Sequence, residues 1–318
     1  MNHELSLDRR TAAGFPLVAL AAALWGTDAL FRRGLALELP ATTVVVYEHV
    51  ILAAVMLPVI LRIPWRKLSR SDVGALLVIG VGASALATVL FTMSFRYGDP
   101  NTPLLLQKIQ PFVAIIAARV LLDERLRPRF GGYVAAAIVG AWLITFPNPL
   151  SVTVQHLAPG MLAAGAAVLW GMGTVLGRRM SDRLTFVQLT AARFGIGLPA
   201  ALLFVLLLPG RAEPIAVHLA IAGDDVVPLL LLAAVPGLLS LLVYYRGLRS
   251  TPASAATIAE LAFPLAALSV NYVAFGAVLT ATQTVGVIVL SATLVVMSRV
   301  GRQRTEALGI EVPSVVAN

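Results

Sequence analysis

The chain has 318 residues, 58% of them hydrophobic and only 13% charged, with a mean hydropathy of +0.88; soluble domains carry about 25% charged residues, so a water-soluble surface is excluded. No cysteine is present, which excludes disulfides, thiol catalysis and thiolate metal sites. The net charge of +8 sits between apolar runs, where it signals topology and not a nucleic-acid footprint.

Apolar runs punctuated by polar residues, proline and glycine predict ten membrane-spanning helices: 14–34, 41–61, 73–95, 102–122 and 130–147, then 159–177, 186–208, 226–245, 252–274 and 282–298. About 20 residues rising 1.5 Å each cross a hydrocarbon core of roughly 30 Å. Ahead of the first span, the segment 1–13 carries Arg9 and Arg10, and the following run through Ala21-Ala22-Ala23 mimics a signal peptide. The run continues past that site and more spans follow, so it is read as a retained first span. With the N-terminus inside, seventeen Lys and Arg fall in inner connections, whereas Arg32, Arg33, Arg96 and Arg211 fall in outer ones. The bias predicts both termini in the cytoplasm. Arg32 and Arg33 are then expected to snorkel to outer headgroup phosphates, and the segment 299–318 to form a disordered cytoplasmic tail.

Polar residues inside the spans are the functional candidates, because a charge at mid-bilayer costs at least about 2.5–3.5 kcal/mol without water or a partner. In the first span, Trp25 lies too deep for a headgroup belt, and Asp28 stands one turn before Arg32, as an ion-pair partner or a substrate contact. In the second, Glu48 and His49 sit at the depth of Arg193 in the seventh. A carboxyl and an imidazole in low dielectric suit charge relay or proton coupling, and a structural salt bridge equally.

In the fourth span, LLLQKIQPFV from Leu104 to Val113 sets Gln107, Lys108 and Gln110 in an apolar run. Pro111 removes one backbone hydrogen bond beside them. The depth of Lys108, roughly 9 Å, and of Glu260 in the ninth span, roughly 12 Å from the opposite face, bring the two within about 10 Å in height. An ion pair or a shared wet cavity is therefore expected; the plainer alternatives are a snorkelling lysine, a hydrogen-bonded carboxyl and glutamines acting as interhelical glue. In the sixth span Trp170 matches Trp25, and Gly173 and Gly177 form a small-residue packing face.

Two internal matches organise the chain. LWGTDALFRRG, from Leu24 to Gly34, matches LWGMGTVLGRR, from Leu169 to Arg179, and the run from Phe95 to Ala114 aligns with that from Leu248 onward so that Pro111 meets Pro264. Five spans separate the copies. Five is odd, so the second copy enters the membrane upside down. The expected fold is all-α and integral to the membrane: ten transmembrane helices in two inverted five-helix repeats, 14–147 and 159–298, joined by an outer loop 148–158.

The paired WG dipeptides and QPFVAIIAARVLLDERLRP, from Gln110 to Pro128, resemble the EamA-type transporters of the drug/metabolite transporter superfamily. The resemblance covers roughly 14–298. Two departures stand out: Gly276-Ala277-Val278 replaces a second acidic turn, and Tyr47-Glu48-His49 stands where many members place an arginine. The resemblance implies a ten-helix basket whose first, third, fourth, sixth, eighth and ninth helices line a cavity. It also implies export of amino acids or other small metabolites, driven by a proton or a counter-substrate.

The expected function is thus alternating-access transport, in the export direction, of a small polar metabolite such as an amino acid, with no cofactor and no metal. Lys108, Glu260, Gln107, Gln110, Trp25, Trp170 and Asp28 are the expected substrate contacts, and Glu48, His49 and Arg193 the expected relay. The expected surroundings are the lipid bilayer of a bacterial inner membrane, with a second copy of the chain as partner. Rival readings are an intramembrane enzyme, against which stands the lack of HExxH, GxSxG or paired aspartates on adjacent spans, and a scaffold or receptor.

Overall fold

Inside a bilayer every backbone N–H and C=O must be satisfied within the protein, and helices do this segment by segment. The computed structural model describes residues 2–97, 99–121, 130–146, 148–150, 154–180, 182–207, 223–248, 259–260 and 262–307. Among them the chain is helical without strands. Six helices are long and apolar enough to cross a membrane: Gly14–Glu38, Ala41–Ile60, Arg70–Tyr97, Leu157–Gly177, Phe186–Leu207 and Asp225–Tyr244. Shorter apolar helices cover Gly131–Thr145, Ala262–Phe275 and Ala281–Thr293.

The first span is two helices, α1 (Asn2–Gly26) and α2 (Asp28–Glu38), meeting at Thr27, whose hydroxyl donates to the Leu24 carbonyl at 2.7 Å. It runs on to Glu38, beyond the expected end at 34. The second span is α3 (Ala41–Ile60). The third opens on a capping box, with the Ser69 hydroxyl accepting from the Asp72 N–H and the Asp72 carboxylate from the Ser69 N–H. It continues as α4 (Arg70–Leu77), a π-helical stretch Val78–Leu86, and α5 (Ala87–Ser94).

The fourth span is α6 (Asn101–Leu106), a single 3-10 turn Gln107–Ile109, and α7 (Gln110–Leu121). Pro111 has no N–H to offer, and the Gln110 N–H closes on the Gln107 carbonyl in the tighter i+3 pattern. The helix is thus interrupted within this span at the position of Lys108. The Asp123–Leu126 turn that carried part of the family resemblance lies outside the described residues.

The later elements are α8 (Phe130–Thr145), α9 (Val154–Met180) and α10 (Phe186–Leu207), then α11 (Gly223–Leu232), a second π-helical stretch Ala233–Leu239, and α12 (Ser240–Leu248). Last come α13 (Ala262–Phe275) and α14 (Ala281–Ala307). Most of the expected first half of the ninth span, 252–258 and 261, lies outside the described residues. α14 continues helical to Ala307, so the expected tail from 299 begins as helix; 308–318 are again outside the description. Gly276 ends α13 at φ +61, with its N–H on the Tyr272 carbonyl and the Ala277 N–H on the Asn271 carbonyl. This left-handed C-terminal cap accounts for a glycine where an acidic turn was the alternative.

Packing crosses between the halves. α3 lies along α10, and α8 along α14; α1 packs on α12 and α13, while α9 packs on α5, α7 and the first π-helical stretch. Small residues permit the closest crossings, as in membrane helix pairs generally. A Cβ on Gly26 would lie 2.8 Å from the Phe263 carbonyl oxygen and 2.8 Å from the Ala266 Cβ; one on Gly171 would lie 3.1 Å from the Gln110 carbonyl oxygen and 2.9 Å from the Val113 Cβ.

Candidate functional site

The break at Gln107–Ile109 turns Lys108 toward α13. Its ammonium donates to the backbone carbonyl of Glu260 at 3.3 Å and lies 4.4 Å from the centroid of the Phe263 ring. The Glu260 carboxylate is engaged elsewhere, accepting from the Tyr244 hydroxyl at 2.7 Å. Tyr244 in turn packs against Trp25, with ring centroids 5.0 Å apart. Cation, carboxylate and three aromatic rings therefore meet where the first, fourth, eighth and ninth spans converge. Lys108 and Glu260 are adjacent, as their depths required, through a carbonyl and not through a direct ion pair.

Of the flanking glutamines, Gln107 is half-buried in the same 3-10 turn. Gln110 donates from Nε2 to the Thr174 hydroxyl at 3.2 Å, and that hydroxyl donates to the Trp170 carbonyl at 3.0 Å. Gln110 thus ties α7 to α9. The Trp170 ring stands 5.2 Å, edge to face, from Phe91, which is 5.0 Å from Phe95. Both tryptophans lie inside the bundle against aromatic partners, one in each of two neighbouring clusters.

The Asp28 neighbourhood is an ion network. Arg32 grips Asp28 with both arms of its guanidinium fork, Nε to Oδ1 at 2.7 Å and Nη2 to Oδ2 at 2.8 Å. It also donates to Glu48, from Nη1 to Oε2 at 3.0 Å and from Nη2 to Oε1 at 3.3 Å, and from Nη1 to the Thr92 hydroxyl at 2.9 Å. Only 3% of Arg32, 9% of Asp28 and 6% of Glu48 is exposed. The expectation that Arg32 snorkels to headgroups is corrected: three partners in three spans give it a full set of acceptors inside the protein, and an arginine so satisfied has no need of phosphates. Arg33, on the next helical position, stacks on the Phe275 ring at 4.7 Å.

His49 and Arg193 reach neighbouring positions of the first π-helical stretch, Ser84 and Ala83, while Glu48 is engaged by Arg32. His49 contacts the Val45 carbonyl through Nδ1 and the Ser84 hydroxyl through Nε2, both at 2.9 Å, and its ring stands edge-on to Phe194. Arg193 donates to the Ala83 carbonyl at 2.9 Å, an acceptor in the first π-helical stretch, where i+5 pairing perturbs the usual ladder. It also lines a small cavity with Ile79, Gly173, Gly177, Thr190 and Leu241.

Sequence reasoning did not nominate Tyr244, Phe263, Arg32, Thr92 or Thr174. The available signal for Tyr244 was a tyrosine near the inner end of a cavity-lining span. Among the described residues no cluster of His, Cys, Asp and Glu could hold a metal ion.

Comparison with known proteins agrees with this architecture. The model of the EamA-like transporter family matches twice, over residues 12–146 and 158–299. The Riboflavin transporter ImpX of Fusobacterium nucleatum is 28% identical over 90% of this chain and 97% of its own length. The uncharacterized inner membrane transporter YicL of Salmonella typhimurium is 24% identical over 75% of this chain and 77% of its own. A protein crystal structure at 18% identity shares the fold, with a TM-score of 0.60 over 92% of this chain and 98% of that one.

Proposed function

The chain belongs to the EamA-like transporter family and is an integral membrane protein, and on that premise we propose that it carries a small polar metabolite across a bacterial inner membrane by alternating access between two inverted halves. Several features support the inversion. The family model matches each half once. Exchanging the halves maps the packing of α1 on α12 and α13 onto that of α9 on the third and fourth spans, and leaves the α3–α10 and α8–α14 pairs in place. The third span of each half carries a π-helical stretch, Val78–Leu86 and Ala233–Leu239. The two WG glycines meet matching positions of the opposite half, Phe263 and Ala266 for Gly26, Gln110 and Val113 for Gly171. Lys/Arg bias and ten spans put both termini on the cytoplasmic side.

The observation that carries the transport reading is the junction of Lys108, Glu260, Tyr244, Trp25 and Phe263 between helices of both halves. An ammonium held, among the described residues, by a carbonyl and a ring face can exchange those partners for an anionic or carbonyl oxygen of a solute, while Glu260 meets a cationic or N–H group. A zwitterionic amino acid fits this pairing. The flanking aromatic faces favour a second substrate class, a flat polar heteroaromatic molecule, in line with the riboflavin named for the Fusobacterium relative. Gln107 and Gln110 flank Lys108 along the fourth span, Trp170 and Asp28 are proposed as further solute contacts from the sixth and first spans, and rocking of the halves exposes the site to either side, with export as the working direction.

The experiment is counterflow in proteoliposomes with labelled amino acids, organic acids and riboflavin, run in both directions. Exchange that Lys108→Ala and Glu260→Gln abolish is expected. Exchange equally fast in these variants would remove the residues from the site, and substrate turnover without flux would restore the enzyme reading.

A further inference from the structure

The Asp28–Arg32–Glu48 triad does more than join three helices. One guanidinium faces two carboxylates, so the ionised triad carries one uncompensated negative charge. Arg32 lies about 9 Å, Glu48 about 10 Å and Thr92 about 8 Å from the end of their spans on one common face, at 1.5 Å per residue. The remaining partners are neutral: the Thr92 hydroxyl and the Phe91 ring, 5.6 Å from the Arg32 guanidinium carbon. Buried ion pairs contribute little net stability compared with apolar packing, so stability alone does not explain a triad with unequal charge.

Other ionisable groups on the same and neighbouring helices are directed elsewhere or placed at the ends. His49 faces Ser84 and the Val45 carbonyl, Arg193 reaches the Ala83 carbonyl, and Arg33 stacks on Phe275. Glu38 closes α2, and Tyr47 lies on α3 beside Glu48. Arg96 and Tyr97, on the turn packed against α2, are exposed, as is Tyr272 of α13. Asp225 opens α11, which packs on α2, and adds another acid.

We propose that the triad is a proton-binding site and that Glu48 is the carboxyl that takes the proton. Geometry chooses between the two acids. Asp28 holds the guanidinium fork at 2.7 and 2.8 Å, whereas the Glu48 contacts are longer, at 3.0 and 3.3 Å. A proton from water forms an O–H bond on a Glu48 oxygen, the triad becomes neutral, and the Asp28–Arg32 pair stays closed. The bonds between α2 and α3 keep the guanidinium charge but lose that of the carboxylate, so the ionic attraction between the first and second spans falls and they are held less tightly. Loss of the proton to water ties them again. Given the transport reading above, this step couples the rocking of the halves to a proton.

The test reads the proton without any substrate. In lipid nanodiscs, infrared titration is expected to show a protonated-carboxyl stretching component that grows as pH falls, appears in the wild-type-minus-Glu48→Gln difference spectrum and is still present in Asp28→Asn. The absence of such a component from the wild-type-minus-Glu48→Gln difference spectrum overturns the proposal. Should Glu48→Gln fail to fold, Thr92→Val replaces it: losing the hydroxyl changes the set of groups around Arg32 and moves the titration midpoint, and an unmoved midpoint overturns the site. In proteoliposomes with the substrate identified by counterflow, Glu48→Gln is expected to lose at least tenfold of accumulation driven by a pH gradient. A titrating band with no flux of any substrate in the wild type would overturn the transport reading and leave the proton site standing.

Discussion

Gly140 and Gly286 pack backbone against backbone: a Cβ on Gly140 would lie 3.0 Å from the Gly286 carbonyl oxygen, and one on Gly286 would lie 2.7 Å from the Gly140 carbonyl oxygen. Each glycine also faces the residue four positions beyond the other, Leu290 and Ile144. The crossing of α8 and α14 is therefore alike seen from either helix. Because the neighbours at these distances include backbone atoms, neither site can yield to a larger side chain. Gly140→Val and Gly286→Val are each expected to cost about 1–3 kcal/mol of stability, with similar losses for the two. Thermal unfolding in detergent checks this, with Gly132→Ala, which meets nothing within 4 Å, as the unperturbed control.

The WG glycines should behave as a second matched pair. Any Cβ at Gly26 or Gly171 meets the opposite half at about van der Waals overlap, against a carbonyl oxygen in both cases. Gly26→Val and Gly171→Val are expected to push the first span off α13 and the sixth off α7, lowering counterflow at least tenfold. The measurement is initial exchange rate per correctly inserted molecule. Normal rates in one variant and loss in the other would mean that the two halves do not use these crossings alike.

At the mixed-charge junction, Tyr244→Phe is the most discriminating change. It removes the hydroxyl that donates to Glu260 but keeps the ring against Trp25, so packing is retained and a half-buried acceptor loses one donor, at about 0.5–1.5 kcal/mol. The expected outcome is a raised half-saturation concentration for the transported solute with the protein still monodisperse. Lys108→Ala and Glu260→Gln, by contrast, are expected to abolish flux. Concentration dependence of exchange separates the two effects.

How much of this was readable in the chain follows from what periodicity encodes. Apolar runs located the spans, and span depth gave Lys108 and Glu260 similar heights because helical rise is fixed, while the internal repeat, which sets the fourth span against the ninth, made their meeting feasible. The pairing of Asp28 with Arg32 was legible from its four-residue spacing. The role of Arg32 as the hub was not: hydropathy and topology counts treat an arginine near a span end as a headgroup ligand, and only the three-dimensional meeting of α2, α3 and α5 supplies Glu48 and Thr92 as partners. Tyr244 and Phe263 were missed for a related reason, since aromatic residues in apolar spans look alike whether they face lipid or a polar neighbour. The break at Thr27 and both π-helical stretches leave no hydropathy signal at all.

The Arg32 network also predicts a non-additive stability pattern. Arg32→Met leaves Asp28 and Glu48 buried side by side with no cation, which is expected to cost about 3–5 kcal/mol, the penalty for breaking a buried ion group by removing one partner. Replacing the two acids as well, by Asp28→Asn and Glu48→Gln, removes the stranded charges and should recover much of that loss, since a buried ion group and a neutral replacement are often close in stability. The sum of the separate effects will therefore exceed the effect of the triple change, as expected for residues sharing one network. Thermal unfolding of the single, double and triple variants in the same detergent checks this. A triple variant less stable than Arg32→Met alone would show that Asp28 and Glu48 support the fold through something other than the arginine.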